Sequence, residues 1–345
     1  MSGTGSSRVA VITGPGEVEL REEPSTAALG LDEVLVAVAA CGICTMERRL
    51  FLGEKPMYPI APGHEVSGHI VARGEAVAAI PGAPEVGDQV AIDFFVRCGV
   101  CAPCRRGRSA VCQHPQGGAL SDGTLALGGG FADVLRVRAS QVWPCGDAPR
   151  AHATMGEPLA CVAHSFRAAG FQAGDRVVIV GGGYMGRLHL AVAQLLGAVS
   201  AGVVDVDPER RAAAATAGAS WVAAPDALAE CPSSDVVFVT AGAPGVLGAA
   251  VGLAAVGATV VLFGAFPKAD RQAVAPDHLH HAELSLRGVC NHEPEDWRTA
   301  TSWIRAGVLA ADLDALVSAS FALDAVRDAL VLATTTPVYR VLVGG

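Results

Sequence analysis

Four cysteines lie close together in one short segment of the chain. They are spaced C-x2-C-x2-C-x7-C and are Cys98, Cys101, Cys104 and Cys112. Four thiolates form the complete ligand set of a tetrahedral structural zinc site, which leaves no position open for a substrate. The alternative is two disulfides, but tight cysteine clusters in chains with no sign of an oxidising compartment are more often metal sites. The segment 98–112 therefore predicts a structural zinc lobe.

A glycine motif typical of dinucleotide binding lies in the run VVIVGGGYMGRLHLA. Its glycines follow an apolar strand and open a helix, and they are Gly181, Gly183 and Gly186. In that context they permit a tight turn, close approach of a pyrophosphate and close helix–strand contact, while the helix N-terminus offers N–H groups to the phosphates. The intervening Tyr184 and Met185 are candidate cofactor contacts. The alternative is a glycine-rich turn in an ordinary α/β domain.

An acidic residue ends the next apolar run, AGVVD. Asp205 follows Gly186 by 19 residues, the place where a carboxylate accepts hydrogen bonds from the adenosine ribose hydroxyls. A 2′-phosphate at this place would meet both Asp205 and Asp207. The sequence therefore predicts NAD as the cofactor, in preference to NADP.

Three further segments carry residues that could bind a metal. Cys44 lies in CGICTMERR, His64 and Glu65 lie in PGHEVSGH, and Glu157 lies in MGEPLACVAH. Each has an ordinary explanation: Cys44 with Cys41 could be a chance C-x-x-C or a redox pair, the His-Glu pair a surface or capping feature, and Glu157 a residue near a helix start. Spacing alone does not join these segments, because they are far apart in the sequence.

Composition excludes several classes of protein. The chain has 345 residues, of which 51% are hydrophobic, and its net charge is −9. Two domains with buried cores are therefore expected, and nucleic-acid binding is not, since such binders carry basic faces. No secretory signal or membrane span is recognisable, so we expect a cytoplasmic protein. The partner that remains is a small-molecule substrate.

The pattern of predicted strands and helices changes near residue 150. Short runs with strand character, separated by glycine, proline and aspartate turns, fill residues 1–150. Over 151–291 apolar strands alternate with helical stretches rich in alanine and leucine, which is typical of a doubly wound parallel sheet. Residues 292–345 end in the strand-like YRVLV. Three histidines in APDHLHHAEL (His278, His280 and His281) are expected on a loop or helix surface.

These motifs, in this order and approximate spacing, resemble those of the zinc-dependent medium-chain dehydrogenases, the group that includes alcohol, sorbitol and threonine dehydrogenases. The resemblance covers nearly the whole chain. It rests on the GIC run ending at Cys44, the GHE run at 63–65, the four-cysteine lobe, GGFADV at 129–134, EPLA at 157–160 and the nucleotide motif. It implies an α/β protein with a GroES-like β-rich catalytic domain at 1–150, a Rossmann domain at 151–291, and a return to the catalytic domain at 292–345.

The resemblance also implies a second, catalytic zinc. Cys44 and His64 match its ligands, Glu65 matches a carboxylate that either binds the zinc or lies beside it, and Glu157 matches the third protein ligand. The Glu-Pro-Leu form at Glu157 is shared with many polyol and threonine dehydrogenases. Two zinc ions per chain and NAD are therefore the expected cofactors. Other matching positions are Arg210 at the adenosine ribose, Arg340 as a C-terminal cofactor contact, and Phe94 and Met46 in the substrate pocket.

One departure from the family pattern concerns proton transfer. The family usually has Ser or Thr two residues after the position of Cys44, and often His five after it, whereas this chain has Met46 and Arg49. Neither residue relays a proton at neutral pH. The proton could leave through Thr45, Glu65 or water. Alternatively the substrate differs from a simple alcohol and is an amino-sugar, a cyclitol or an iminium compound.

The expected reaction is the reversible oxidation of a secondary alcohol of polyol, cyclitol or aminocyclitol type to its ketone by hydride transfer. One alternative is a reductase of imines or activated alkenes, or a redox-neutral enzyme, on the same scaffold. Another is a non-catalytic cofactor sensor, against which the intact Cys44, His64 and Glu157 argue. The resemblance further implies a homodimer or homotetramer joined through Rossmann sheet edges, near the run ATVVLFG at 258–264.

Overall fold

The chain divides into two compact units. A computed structural model describes residues 6–24, 29–267 and 270–344. One unit comprises Met1–Pro158 together with Trp297–Gly345, and the other comprises Leu159–Asp296. The sequence places these divisions a few residues earlier, after 150 and after 291. Both observed divisions fall inside helices.

Eighteen strands and twelve α-helices form the regular structure of the described residues. The strands are β1 (Ser6–Gly14), β2 (Glu17–Pro24), β3 (Glu33–Gly42), β4 (Ile60–Ala61), β5 (Glu65–Arg73), β6 (Gln89–Ile92), β7 (Gly118–Ala119), β8 (Leu125–Ala126), β9 (Val134–Arg138), β10 (Val142–Pro144), β11 (Arg176–Val180), β12 (Ser200–Val204), β13 (Trp221–Ala223), β14 (Ser234–Val239), β15 (Ala254–Leu262), β16 (Ser285–Gly288), β17 (Val317–Phe321) and β18 (Arg340–Val343). The helices are α1 (Thr45–Phe51), α2 (Glu75–Ala78), α3 (Ala102–Arg105), α4 (Arg150–Thr154), α5 (Gly156–Ala169), α6 (Tyr184–Leu195), α7 (Pro208–Thr216), α8 (Val246–Gly252), α9 (Pro276–His281), α10 (Pro294–Ala306), α11 (Ala310–Ala315) and α12 (Val326–Thr335). Short 3-10 helices lie at Ser109–Val111, Ala139–Gln141, Pro225–Glu230 and Leu323–Ala325.

The first unit is built on two sheets. One has the strand order β2-β1-β4-β8-β7, and the other has the order β10-β6-β5-β3-β18-β17, with β9 also pairing with β3. Strand β18 runs antiparallel to β3, so that Leu342 lies opposite Gly42. Apolar side chains from β3, β5, β18 and α1 share one buried core, which includes Ile43 just before α1 and Leu50 near its end. This core holds the segment after β3 in place.

The second unit contains a six-stranded sheet in the order β13-β12-β11-β14-β15-β16, and every pairing in it is parallel. Helices cover parallel sheets on both faces, so their strands read as continuous apolar runs. Strand β11, RVVIV, shows this pattern, with its last four residues buried. In chain order the six strands lie 3-2-1-4-5-6, the order of a dinucleotide-binding sheet. The predicted doubly wound domain is confirmed.

Two surface features of this unit bear on the expectations above. The run 258–264 overlaps the end of β15, and the next strand in the sheet, β16, forms the edge, so the edge lies one strand beyond the run. The sequence did not mark β16 as a strand, because its residues SLRG include only one apolar side chain. The three clustered histidines lie on α9, none of whose residues is buried, as expected. No helix in the described ranges has the length and apolar character needed to cross a membrane.

Candidate active site and metal centres

The four-cysteine lobe brings its sulfurs together. The Sγ atoms of Cys98 and Cys112 are 3.5 Å apart, and those of Cys101 and Cys112 are 3.9 Å apart. Zinc–sulfur bonds of about 2.3 Å in a tetrahedron separate the sulfurs by roughly 3.8 Å. All four ligand atoms, including that of Cys104, lie within 4.8 Å of one another, and all four cysteines are free thiols. The lobe therefore fits a zinc ion and does not contain disulfides.

Backbone groups also prepare this lobe for a cation. Hydrogen bonds from the backbone of Gln113 and Cys104 lower the pKa of Cys101 to about 6. The backbone of Cys98 lowers the pKa of Cys112. Burial acts in the opposite direction on Cys104 and raises its pKa to about 12. Two of the thiols are therefore more acidic than an ordinary cysteine, and a bound metal ion would favour the thiolate form of all four.

A second donor cluster in the first unit centres on His64. Cys44 is the N-cap residue of α1, and His64 immediately precedes β5. Ligand atoms of Cys44, Glu47 and His64 lie within 4.8 Å of one another, and so do those of His64, Glu65 and Glu157. Glu65 begins β5 and Glu157 lies in the first turn of α5. The cluster thus joins all the segments that spacing alone could not join.

Glu47, which sequence reasoning missed, fixes the orientation of His64. Its Oε1 lies 2.8 Å from His64 Nδ1 and accepts a hydrogen bond from the backbone N–H of Gly63 at 3.1 Å, while its Oε2 accepts one from the N–H of Cys44 at 3.0 Å. Because a carboxylate can only accept, Nδ1 of His64 carries a proton, which leaves Nε2 as the ring nitrogen that could bind a metal. Three donors occupy Glu47, so we assign it to orientation and not to ligation.

Ionic attraction dominates the titration of this pair. Burial on its own would lower the pKa of His64, but the charge of Glu47 and the Cys44 thiol outweigh it and hold that pKa well above its usual value. Burial would raise the pKa of Glu47, yet His64 and two backbone N–H groups keep it below its usual value. The pKa of Cys44 is raised, chiefly by burial and then by the charge of Glu65.

Glu65 has one satisfied and one unsatisfied carboxylate oxygen. Oε1 lies 2.8 Å from Arg340 Nη2, whereas the buried Oε2 has no hydrogen-bond partner among the described residues. Burial raises the pKa of Glu65, and Arg340 opposes that rise. An orphaned buried oxygen beside His64 and Glu157 is what a cation would satisfy. The donor set of Cys44, His64 and the two carboxylates therefore fits a metal ion.

The side chain of Arg340 is buried inside the first unit. It begins β18, is 4% exposed, and donates to the carbonyl oxygen of Ile43 as well as to Glu65. These contacts make it a positioning partner of Glu65. Its predicted contact with the cofactor stays a prediction.

The glycine loop of the second unit has the geometry that its motif predicts. Gly181 adopts φ +113°, in the left-handed region that favours glycine. A Cβ on Gly186 would collide with the carbonyl oxygen of Gly181, so this glycine permits the close contact of α6 with β11. A Cβ on Gly183 would meet only Arg210 Nη1, at 3.8 Å, so the loop is open on that side. Such an open cradle at a helix N-terminus fits a pyrophosphate.

Asp205 supports this loop. One carboxylate oxygen accepts a hydrogen bond from Gly182 N–H at 2.6 Å and the other accepts one from Asp207 N–H at 2.8 Å. Arg210 Nη1 lies 3.9 Å from Asp205, and Arg210 Nε lies 3.7 Å from Asp207. The predicted ribose-binding residues are therefore gathered beside the loop, with two carboxylates against one guanidinium.

The other predicted residues lie at the expected elements. Tyr184 and Met185 form the start of α6 and are partly buried. Thr45 is exposed at the start of α1, and the next residue, Met46, packs against the core of the first unit, as does Phe94 after β6. Their roles toward a substrate or cofactor stay predictions.

Comparisons with known proteins agree with this fold and donor chemistry. The Alcohol dehydrogenase GroES-like domain family matches residues 30–147, and the Zinc-binding dehydrogenase family matches residues 185–306. The chain is 30% identical to L-galactonate-5-dehydrogenase of Escherichia coli K12, over 82% of this chain and 83% of that protein. It is 30% identical to D-altritol 5-dehydrogenase of Agrobacterium fabrum, over 79% of this chain and 81% of that protein.

A solved structure resembles the whole chain. It is a putative zinc-binding dehydrogenase from Sinorhizobium meliloti 1021 bound to NADP, with a TM-score of 0.89 and 28% identity, and the match covers 99% of this chain and 100% of that one. A GroES-like unit with a metal-donor cluster and a Rossmann unit with a nucleotide loop define a dinucleotide-dependent oxidoreductase. The chain belongs to the zinc-dependent medium-chain dehydrogenase family. It is a zinc-containing, NAD(P)-dependent alcohol oxidoreductase, which confirms the predicted family, fold class and enzyme class.

Proposed function

We propose that this enzyme oxidises a secondary hydroxyl of a polyhydroxylated small molecule to a ketone, reversibly, with NAD as the hydride acceptor. The observation that carries the proposal is the donor cluster at His64, in which a buried carboxylate oxygen of Glu65 lacks a partner. Relatives named for L-galactonate and D-altritol support a polyhydroxylated substrate.

Different residues of the chain have different roles in the proposed reaction. Cys44, His64 and Glu157 would hold the zinc, with Glu65 beside them. Bound zinc supplies Lewis-acid activation of the substrate hydroxyl, and NAD supplies the hydride acceptor. Glu47 keeps His64 in the tautomer that presents Nε2.

Two further residues complete the arrangement. Arg340 holds Glu65 by its Oε1 and leaves the buried Oε2 without a hydrogen-bond partner among the described residues. Because Met46 cannot relay a proton, we propose that Thr45, Glu65 or water accepts the proton that the substrate loses.

A substrate screen with a matched pair of variants tests the proposal. Polyols, inositols, amino-sugars and simple secondary alcohols are offered with NAD, and NADH absorbance is followed. His64→Ala should abolish turnover while NAD binding, measured by fluorescence titration, persists, because the donor cluster and the glycine loop belong to different units. His281→Ala, on the exposed face of α9, is the control for loss of a histidine. Full turnover by His64→Ala would refute the proposed use of the donor cluster.

We propose that the enzyme is a cytoplasmic homodimer or homotetramer. Strand β16 supports an association through the Rossmann sheet, since it is the sheet edge and all four of its residues are exposed. An exposed edge offers unpaired backbone groups to another strand. Light scattering on the purified protein tests this, and a monomer at micromolar concentration would contradict it.

A further inference from the structure

Lys55 lies next to the start of α1 with a contact that the proposed reaction does not use. Its Nζ is 3.3 Å from the sulfur of Met46, and its backbone N–H donates to the carbonyl oxygen of Arg49 at 3.2 Å. The chain after α1 therefore turns back, and the lysine side chain returns along the helix toward the helix N-terminus. Helical side chains lean toward the N-terminus, so the Met46 sulfur leans toward Cys44.

The contact places the ammonium group near the first turn of α1. Cys44 and Met46 are two positions apart, with Thr45 between them, which is about 3 Å of rise along a helix. Cys44 belongs to the group of ligand atoms that includes His64. A positive charge that contacts Met46 therefore lies at the same end of α1 as its N-cap residue, Cys44.

This cation has no counterion in the described part of the chain. Lys55 is partly buried, and no carboxylate there lies within ion-pair distance of it. The two nearest acids in sequence are engaged elsewhere, since Glu54 pairs with Arg49 at 3.4 Å and Glu47 binds His64 and two backbone N–H groups. A thioether sulfur is a weak acceptor, so at least two of the three ammonium donors remain for a ligand.

The negative net charge of the protein makes a local positive group relevant to the charge of the substrate. With a net charge of −9, the protein as a whole repels anions, so an anionic substrate needs a specific positive group at its site. Lys55 is one of only two lysines in the sequence, and the other, Lys268, lies outside the described residues. A neutral polyol would leave the ammonium with only a sulfur for a partner.

We propose that Lys55 binds an anionic group of the substrate, and that the substrate is a polyol bearing a carboxylate or a phosphate. This inference rests on the proposed function and narrows it to one class of polyol. The two relatives that are 30% identical are named for one substrate of each kind: L-galactonate carries a carboxylate, and D-altritol carries no charge.

Three probes with one carbon skeleton test the proposal: galactitol, L-galactonate and galactitol 1-phosphate, or the corresponding set in the configuration that the polyol screen selects. The wild-type enzyme should prefer an anionic probe in kcat/KM. Lys55→Met should reduce that preference by about ten- to a hundredfold, as loss of one charged hydrogen bond does. Lys55→Arg should retain most of it. The anion whose turnover falls further in Lys55→Met identifies carboxylate or phosphate as the natural group.

Controls separate this role from others. Arg105→Met, in the four-cysteine lobe, removes the same unit of charge and should leave the preference unchanged. An unchanged preference in Lys55→Met would overturn the proposal. An equal loss of kcat on all three probes, with an altered pH profile, would also overturn it, because Lys55 would then act in proton transfer.

A binding measurement keeps the test independent of turnover. Reductive methylation with ¹³C-formaldehyde labels only the two lysines and the N-terminal amine, and Lys55→Arg assigns the Lys55 signal. The two anionic probes should shift that signal, and galactitol should not. If the wild-type enzyme turns over no polyol, the proposed function fails by itself, while a missing shift with both anions would reject the role of Lys55.

Discussion

Replacement of Asp205 by asparagine should relax the preference for NAD over NADP. Asparagine keeps the size of the side chain and removes its charge, and its amide oxygen can still accept a hydrogen bond from Gly182 N–H, which Asp205 now accepts at 2.6 Å. Glycine at this position would be a poorer test, because it would free the N–H groups of both Gly182 and Asp207 and disturb the loop itself.

The size of the effect follows from the charges around the ribose position. The carboxylates of Asp205 and Asp207 lie 3.9 and 3.7 Å from the guanidinium of Arg210, and Arg211 donates to the Asp205 carbonyl oxygen at 2.8 Å, so the effect of the substitution is set by the single negative charge that it removes. At about 5 Å and an effective dielectric constant of about 20, one such charge repels each unit of phosphate charge by about 3 kcal/mol, or roughly two orders of magnitude in affinity. We expect wild-type kcat/KM to favour NAD by at least about a hundredfold, and Asp205→Asn to reduce that ratio by tenfold or more.

Initial rates with both cofactors at one fixed ionic strength measure these ratios. Asp207→Asn is the matched control, because asparagine preserves the N-cap hydrogen bond to Glu209 N–H at 2.8 Å and removes a carboxylate that is less buried. It should change the ratio less than Asp205→Asn does. Equal kcat/KM with NAD and NADP in the wild-type enzyme would refute the reasoning. The similar Sinorhizobium meliloti protein binds NADP, so the two cofactors have to be compared directly in this enzyme.

Three further changes probe other parts of the molecule. Glu47→Gln should weaken zinc binding at the His64 cluster by about ten- to a hundredfold, because it removes the charge that orients the histidine; competition with a chelator measures this, and unchanged affinity would contradict the role of Glu47. Cys98→Ser should release one of the two zinc ions per chain and lower the Tm, while NAD binding is retained. Metal analysis and thermal unfolding measure these effects. Two zinc ions per chain in the variant would show that the lobe is not a metal site. Burial lowers the pKa of His189 to about 4, whereas its value in the unfolded chain is about 6.5. The unfolded chain therefore takes up a proton first as the pH falls, and the folded protein loses stability between pH 6.5 and 4. At pH 5 this loss is about 2 kcal/mol of the unfolding free energy. The difference in unfolding free energy between the wild type and His189→Phe should fall by that amount between pH 7.5 and 5, and a constant difference would mean that the buried imidazole accepts its proton at an ordinary pKa.

The parts of the enzyme that depend on local sequence were predictable from it. The four cysteines fall within fifteen residues and the three glycines within six, so spacing alone restricts their geometry. The parallel sheet was also predictable, because buried strands such as β11 are continuous apolar runs. The edge strand itself, β16, lies one strand beyond the run at 258–264 and was not predicted, because strand order within a sheet does not follow from the character of one strand.

The donor cluster at His64 required more than spacing. Its residues lie on β5, α1 and α5, and only the resemblance to a family joined them in advance. Glu47 had a local signal that was missed, since an acid three residues after an N-cap is the pattern of a capping box. Lys55 had none, because its approach to Met46 depends on the turn after α1. The burial of Arg340 against Glu65 likewise depends on the pairing of β18 with β3.

That pairing has a consequence for biosynthesis. Strand β18 supplies Arg340 to Glu65 and lies beside the residues that lead into Cys44, yet it is synthesised after the whole of the second unit. The six-stranded sheet of the second unit is continuous in sequence and can form while the chain is still being made, whereas the first unit must wait for its final strand. Contacts between residues so far apart in sequence form slowly. The nascent protein therefore passes through a stage with a folded nucleotide-binding sheet and an incomplete metal site, and a chain that stops before β18 would remain there.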